Sequence, residues 1–435
     1  MRLWLIPMIY IIVSIACGLG LPRIENQYLP TLTHGMSAPA AMALLSAAAS
    51  GMLVLAGIVF SIAFVTMQFS AIAYSPRLVT WFGQDPTTFH SLGIFFAAFT
   101  YSLATLAWVD RAGSGTVPLI SSLVVLALLV VSLLSFSWLV QRLTDLQITN
   151  VLCLIGDRGR RVISVTFNRH GNKCHSAQRA PSGLELARLG PALQTLTYAG
   201  EPRAIADFDI DLLIRQAQRA GAVIAMACGV GDTIVMNTPL LRVHGPTVLS
   251  EKALMRAVRL ARARIFKQDP KYPIRLLVDI AIRALSPAIN DPTTAVQAID
   301  QIEDLLHRLG RCDLDSGYAR DPDGILRLIF PMPTWADYLT LAFDEIRQYG
   351  IGSLQVMRRL RAALNAIADS ADEDRREVVR DTLMTLLVIL HMMSRTGSSR
   401  SRRIGKASGS RASRCDLIEC QKWQGLDRRW LMAAS

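Results

Sequence analysis

Apolar and polar positions divide this chain near residue 141. Before it lie four long runs in which apolar residues fill every helical face. After it, the apolar positions become periodic and charge appears between them. An apolar run of roughly 20 residues is what a helix needs to cross a bilayer. The runs predict membrane spans over about 3–21, 41–66, 89–109 and 117–140, so that 1–141 forms a transmembrane region. The first run, "LWLIPMIYIIVSIACGLGL", has only Arg2 ahead of it and no clear cleavage signal, so it reads as a span rather than a signal peptide. In the second, Ser46/Ser50 and Gly57/Ser61 are small residues one turn apart, the spacing that lets helices approach closely.

Beyond residue 141 the spacing of Ile148, Leu152, Ile155, Val162 and Val165 predicts a helical extension over 142–168. Residues 169–191 read as a linker. The short apolar runs "LQTLTY", "RAIADFD", "VIAMACGV" and "TIVMNTPLLRV" predict strands. Between them "DIDLLIRQAQRAG" predicts a helix capped by Asp209 and ended by Gly221, giving a small α+β module over 192–248. From 249 to 393 the pattern reads as a mainly α-helical domain. Ser250 offers a cap, "RIFKQDPKYP" a break, "TWAD" a capping box and Gly350 a stop. The expected fold is therefore a four-helix membrane region, a small α+β module and a helical domain.

Composition supports the division. Hydrophobic residues make up 51% and charged residues 18%. Of the net charge of +12, +7 belongs to the tail from Arg395 to Ser435, where ten Lys/Arg face three acids. The tail, 394–435, reads as a basic, solvated extension. The body is only mildly basic, which argues against nucleic acid as a partner. Seven cysteines with no C-x-x-C argue against a disulfide framework and for a reducing compartment. Arg2, Arg77 and Arg142 fall on one side of the spans, with Arg23 and Arg111 on the other. The positive-inside rule then places both termini in the cytosol.

Candidate chemistry is sparse. "DPTT" occurs at 85–88 and at 291–294, each time ahead of a helical pattern. Aspartate caps a helix and proline fits its first position, so the tetrapeptide reads first as a helix start. Around the second copy, Arg275, Asp279 and Arg283 form one stripe on an otherwise apolar helix, and Ser286, Asn290, Asp291, Thr293 and Thr294 follow. These residues predict either a buried polar network, in which Asp291 pairs with Arg275 or Arg283, or a ligand site. "CGVGD" has the G-x-G-D form of intramembrane aspartyl proteases, but it lies outside the spans. The same stretch shares a strand-turn-strand pattern with biotinyl and lipoyl modules, without a lysine at the tip. "HGNKCH" offers His170, Cys174 and His175, without a fourth ligand for zinc. Neither metal nor cofactor is expected.

Three stretches carry a resemblance: "FSIAFVTMQFSAIAYSPRLVTWF", "LGIFFAAFTYSLATL" and "QDPKYPIRLLVDIAIRALSPAINDPTTAVQAIDQIEDLL". Over about 1–393 the chain resembles the bacterial predicted membrane proteins of the domain-of-unknown-function 2254 family. The residues in its most characteristic segments are Ser75, Pro76, Arg77, Ser286, Pro287, Asn290, Asp291 and Pro292. The resemblance implies a membrane region followed by a cytosolic remainder, and it carries over no catalytic residue. The resulting expectation is a non-enzymatic, multi-pass inner-membrane protein with a sensing or interaction domain. Its expected partners are the lipid bilayer, an unidentified ligand or protein and, as a homo-oligomer, other copies of itself. The alternatives are an oligomeric channel gated by the soluble part, or an enzyme acting near the membrane.

Overall fold

The computed structural model describes residues 4–28, 37–73, 86–109, 117–144, 148–171, 189–314 and 317–388. The chain forms two compact units, Met1–Leu360 and Arg361–Ser435. The first unit begins with four long helices: α1 (Leu5–Tyr28), α2 (Ala38–Ala73), α3 (Pro86–Leu106) and α4 (Leu119–Thr144). Each is long and apolar enough to cross a membrane. Helices α1 and α3 run parallel. The Tyr10 hydroxyl lies 3.3 Å from His90 Nδ1, the Ser14 hydroxyl 2.5 Å from that of Thr100, and Gly18 faces Ala104. A Cβ on Gly18 would stand 2.8 Å from that of Ala104, and one on Gly93 would stand 2.7 Å from the Tyr10 ring, so glycine sets this close approach. Gly57, singled out from sequence for that role, faces open space instead.

Helix α1 continues seven residues past the expected end of the first span, through Pro22 to Tyr28. The charges that read as a boundary are satisfied by neighbours. The Arg23 guanidinium lies 5.0 Å from the centre of the Trp108 ring. Glu25 is buried and accepts from the Ile120 amide at 2.7 Å, the Ser121 amide at 3.1 Å and the Ser121 hydroxyl at 3.0 Å. Its carboxylate thus sits on the start of α4, where unpaired amides and the positive end of the helix dipole favour an anion.

Helix α5 (Ile148–Gly171) carries Val151, Leu152, Ile155, Val162 and Ile163 on its buried face. It packs along α9 (Pro292–Leu309) in a parallel sense: Thr149 meets Gln297, and Arg160 donates to Asp304 at 2.7 Å. Between these contacts Gly156 and Gly159 bring the two backbones together. A Cβ at Gly159 would lie 2.8 Å from Leu305 and 3.1 Å from Pro273 of α8 (Lys271–Ala284). Helix α8 is buried on nearly every face, which its sequence predicts. Helix α10 (Trp335–Gly350) starts with the expected capping box of Thr334 and Asp337. At the start of α11 (Leu354–Ser370), Arg359 reaches back to Asp300 and Glu303 of α9, at 2.5 Å each.

The α+β module contains β1 (Gln194–Thr197), β2 (Arg203–Phe208), α6 (Ile210–Arg219), β3 (Val223–Met226), β4 (Thr233–Ile234) and β5 (Pro239–His244). Asp209 caps α6 by accepting from the Leu212 amide, and Gly221 takes a positive φ of 61° just beyond its end. Three strands come from the stretch read as helical: β6 (Val258–Ala261), β7 (Tyr318–Arg320) and β8 (Leu326–Ile329). Between the module and β6 lies the short helix α7 (Glu251–Ala257), which Ser250 precedes without a side-chain cap. Strand β6 pairs antiparallel with β2, and β8 pairs parallel with β3. The result is a mixed five-stranded sheet, β1-β5-β3-β8-β7, and a three-stranded sheet, β4-β2-β6. Leu213, Ala217, Ile224, Leu241, Leu254 and Leu328 lie in their common core. In the second unit, Arg376 of the helix at 373–388 donates to the Ala368 and Ala371 carbonyls.

Candidate functional site

The polar residues predicted around the second DPTT do not form one constellation. Arg275 donates to Asp279 at 2.8 Å and, in bidentate fashion, to Glu345 of α10, so the stripe on α8 ties two helices together. Arg283 stands in the last turn of the same helix. Ser286 accepts the Asn290 amide in a turn whose far side, from Pro287 to Asn290, is exposed. Asn290 takes a positive φ of 49°, which asparagine tolerates better than most residues. Asp291 then caps α9: Oδ1 accepts the Thr294 amide at 3.1 Å and Oδ2 accepts the Thr294 hydroxyl at 2.6 Å. Among the described residues no ion pair joins Asp291 to Arg275 or Arg283, and Thr293 is exposed. Helix α3 begins at Pro86 of the first DPTT. Asp85, Ser75, Pro76, Arg77 and the side chains of His170, Cys174 and His175 lie outside the described residues.

A second built feature lies elsewhere. A cleft of 1410 Å³ opens between β2, the start of α6, the Gly229–Asp232 loop, the segment from Arg259 to Lys271 and the turn at Arg320–Asp321. Val165 and Thr166 of α5 complete its wall. Asp207, at the end of β2, is 2% exposed. Two cations converge on its carboxylate: Lys267 on Oδ2, and Arg259 on Oδ1 at 3.4 Å. Nearby, Asp269 is 3% exposed and clamps Arg264 through Nε at 2.8 Å and Nη2 at 3.0 Å, while accepting the Tyr272 amide at 3.2 Å at the start of α8. Burial pushes the Asp269 carboxyl above the usual aspartate range, against the pull of Arg264.

The G-x-G-D loop belongs to this wall. Gly231 has φ +91°, and a Cβ there would lie 2.4 Å from Asp269 Oδ2 and 2.9 Å from Arg264, so glycine is required twice over. The loop makes a poor phosphate cradle, because three of its amides already have acceptors. Gly229 donates to Asp232 Oδ2 at 2.7 Å, Gly231 to the Ile205 carbonyl at 2.9 Å, and Asp232 to the Gly229 carbonyl at 3.2 Å. Asp232 is therefore a loop-closing carboxylate rather than a catalytic one. The strand-turn-strand reading holds locally: β4 turns into β5 through Asn237 at φ +65°.

Sequence reading missed Asp207, Arg264, Lys267 and Asp269. One signal was present: "RAIADFD" places an acid inside an apolar strand, where a charge needs a partner. "RIFKQDPKYP" registered only as a helix break, although it supplies three of the cleft's cations.

Residues 1–366 match the family described as "Predicted membrane protein (DUF2254)". Over 342 residues, 76% of the chain, the sequence is 27% identical to an uncharacterized protein of Mycobacterium bovis and to one of Mycobacterium tuberculosis. The chain spans 64% of the length of these curated relatives. No solved structure matches it.

Proposed function

Because the chain belongs to the DUF2254 family of predicted membrane proteins, we propose that it is a membrane-embedded sensor that binds a small polar ligand in the cleft. The observation that carries this reading is the position of α5. Val165 and Thr166 line the cleft, and the same helix begins only four residues after α4, the last candidate span, ends. Ligand in the cleft touches the element that leads directly to the bundle. Occupancy therefore has a short mechanical route to the membrane region, provided it favours one position of α5 over another.

Two further observations support it. The bundle leaves large apolar side chains uncovered, among them Phe60 at 64%, Leu134 at 66% and Trp138 at 57% exposure, a surface suited to lipid rather than water. In the cleft, most carboxylates are held by guanidinium, ammonium or backbone donors. Such an arrangement suits binding better than proton transfer, which needs an acid or base free to exchange. The inner membrane, with both termini in the cytosol, is the location that the arginine distribution favours.

The test uses the full chain in detergent and a thermal-shift screen of small polar metabolites. Ile214→Trp, on a half-buried cleft residue, fills the space. Compounds that raise the melting temperature of the native chain are expected to lose that effect in Ile214→Trp, and to protect a cysteine at Val165→Cys from a maleimide. Failure of every compound to stabilise the chain, or equal stabilisation of the filled variant, would remove the cleft as a ligand site.

A further inference from the structure

Resting on the cleft reading above, we propose that the ligand is a multiply charged anion of the phosphoryl or carboxylate type. Arg215, Arg259, Lys267 and Lys271 would hold it. By formal count the seven acids lining the cleft outnumber its six cations. The difference lies in how each sign is committed. Asp209 caps α6, Asp232 closes its own loop and Asp269 is clamped by Arg264. Asp321 accepts from Arg327 at 2.8 Å and from the Asp323 and Ile325 amides, and Asp337 completes the capping box of α10. Asp211 stands in the first turn of α6, where the helix dipole favours its charge.

The cations are less spent. Arg259 and Lys267 share the single carboxylate of Asp207, and their side chains stay 57% and 46% exposed. Among the described residues Arg215 and Lys271 form no salt bridge, although Lys271 acts on the Asp337 carboxylate from beyond contact distance. Gln268 accepts the Phe208 amide through its side-chain oxygen, which leaves its amide hydrogens as donors at the same wall. The wall therefore offers donors and cations that are only partly committed. A cationic ligand would have to draw Asp207 away from two cations already seated on it. A polyanion meets partners whose desolvation is half complete, and charge-assisted bonds to carboxylate or phosphoryl oxygens are the strong kind. The space also suffices: 1410 Å³ exceeds the roughly 300–1,000 Å³ of ordinary small-molecule pockets. The same chemistry is offered by a free phosphorylated metabolite and by an anionic lipid headgroup.

The experiment places the full chain in nanodiscs of zwitterionic lipid. It follows thermal unfolding with pyrophosphate, citrate, spermidine and glucose, and separately in phosphatidylglycerol nanodiscs with nothing added. Pyrophosphate or citrate is expected to stabilise if the ligand is free, and phosphatidylglycerol if it is a headgroup. Either effect should weaken about tenfold in apparent affinity for each of Arg215→Gln and Lys271→Gln, both on accessible side chains. Lys252→Gln, exposed and outside the cleft, should leave it unchanged. No stabilisation in any anionic arm, or stabilisation that ignores both cleft variants, overturns the proposal. Stabilisation by spermidine or glucose alone, lost in Ile214→Trp, overturns the anion class while leaving the cleft as a ligand site.

Discussion

Asp291 spends both carboxylate oxygens on Thr294, one on its amide and one on its hydroxyl. An asparagine there keeps an oxygen for the amide, and asparagine caps as well as aspartate. Asp291→Asn is therefore expected to change stability by less than about 0.5 kcal/mol, and Asp291→Ala to cost about 1 kcal/mol. Denaturant melts of the three proteins check the order. An asparagine variant as weak as the alanine one would mean that the charge has a partner beyond the cap. Asp321 is the opposite case. Its side chain is fully buried, beside Arg327 at 11% exposure. Burial alone would raise its carboxyl, but Arg327 and the Ile325 and Asp323 amides outweigh that and hold it below the ordinary aspartate value. A group depressed in the folded state stabilises it above the unfolded pKa, and the contribution disappears as pH falls through the folded value. Asp321→Asn should cost on the order of 3 kcal/mol at neutral pH, since it strands a buried guanidinium. The gap between native and variant melting temperatures should narrow below about pH 4. A gap that stays constant with pH would show that the loss is steric.

Elements were legible where their signals are local. The caps at Asp209, Asp291 and Thr334, the stop at Gly221 and the all-round apolar face of α8 each follow from a few adjacent residues. The strands β6, β7 and β8 were not, because three or four residues such as "VRLA" hold no period of their own. They become strands only because β2 and β3 offer an edge. The close seat of α5 was readable in principle, since Gly156 and Gly159 lie one turn apart within an amphipathic pattern. The two glycines should respond differently. At Gly156 the new Cβ meets the far end of Gln301, a partly exposed side chain that can swing away. At Gly159 it meets both methyls of Leu305, which is fully buried, and Pro273. Alanine gains about 1 kcal/mol of helix propensity over glycine, so Gly156→Ala should be neutral or slightly stabilising. Gly159→Val should lose roughly 1–3 kcal/mol through overpacking. Equal effects in thermal melts would mean that α5 does not seat on α9 through this face.

At the scale of the whole molecule, the sequence drew attention to 283–294, where polar motifs are contiguous, whereas the cleft assembles Asp207, Arg215, Gly231, Lys267 and Arg320 from segments far apart in the chain. No local window contains that site, so only the fold could reveal it. The membrane region raises the converse question, because its helices were legible and its orientation rests on few charges. Helix α1 runs parallel to α3, as alternate crossings require, and the end of α1 meets the start of α4 through Glu25. At that end Arg23 is engaged with Trp108, whereas in sequence Arg2 precedes α1 and Arg142 falls near the end of α4, after which α5 begins. By the positive-inside rule the expected side for the start of α1 and the end of α4 is the cytosol. Because α1 extends to Tyr28, a topology reporter belongs after Pro30 rather than within the helix. Reporters fused after Pro30, Gly83, Gly113 and Gly190 are expected to report outside, inside, outside and inside. An outside signal at Gly190 together with an inside signal at Pro30 would invert the protein. The cleft would then sample solutes from beyond the membrane, and the anion arms of the binding experiment would have to be chosen from that side.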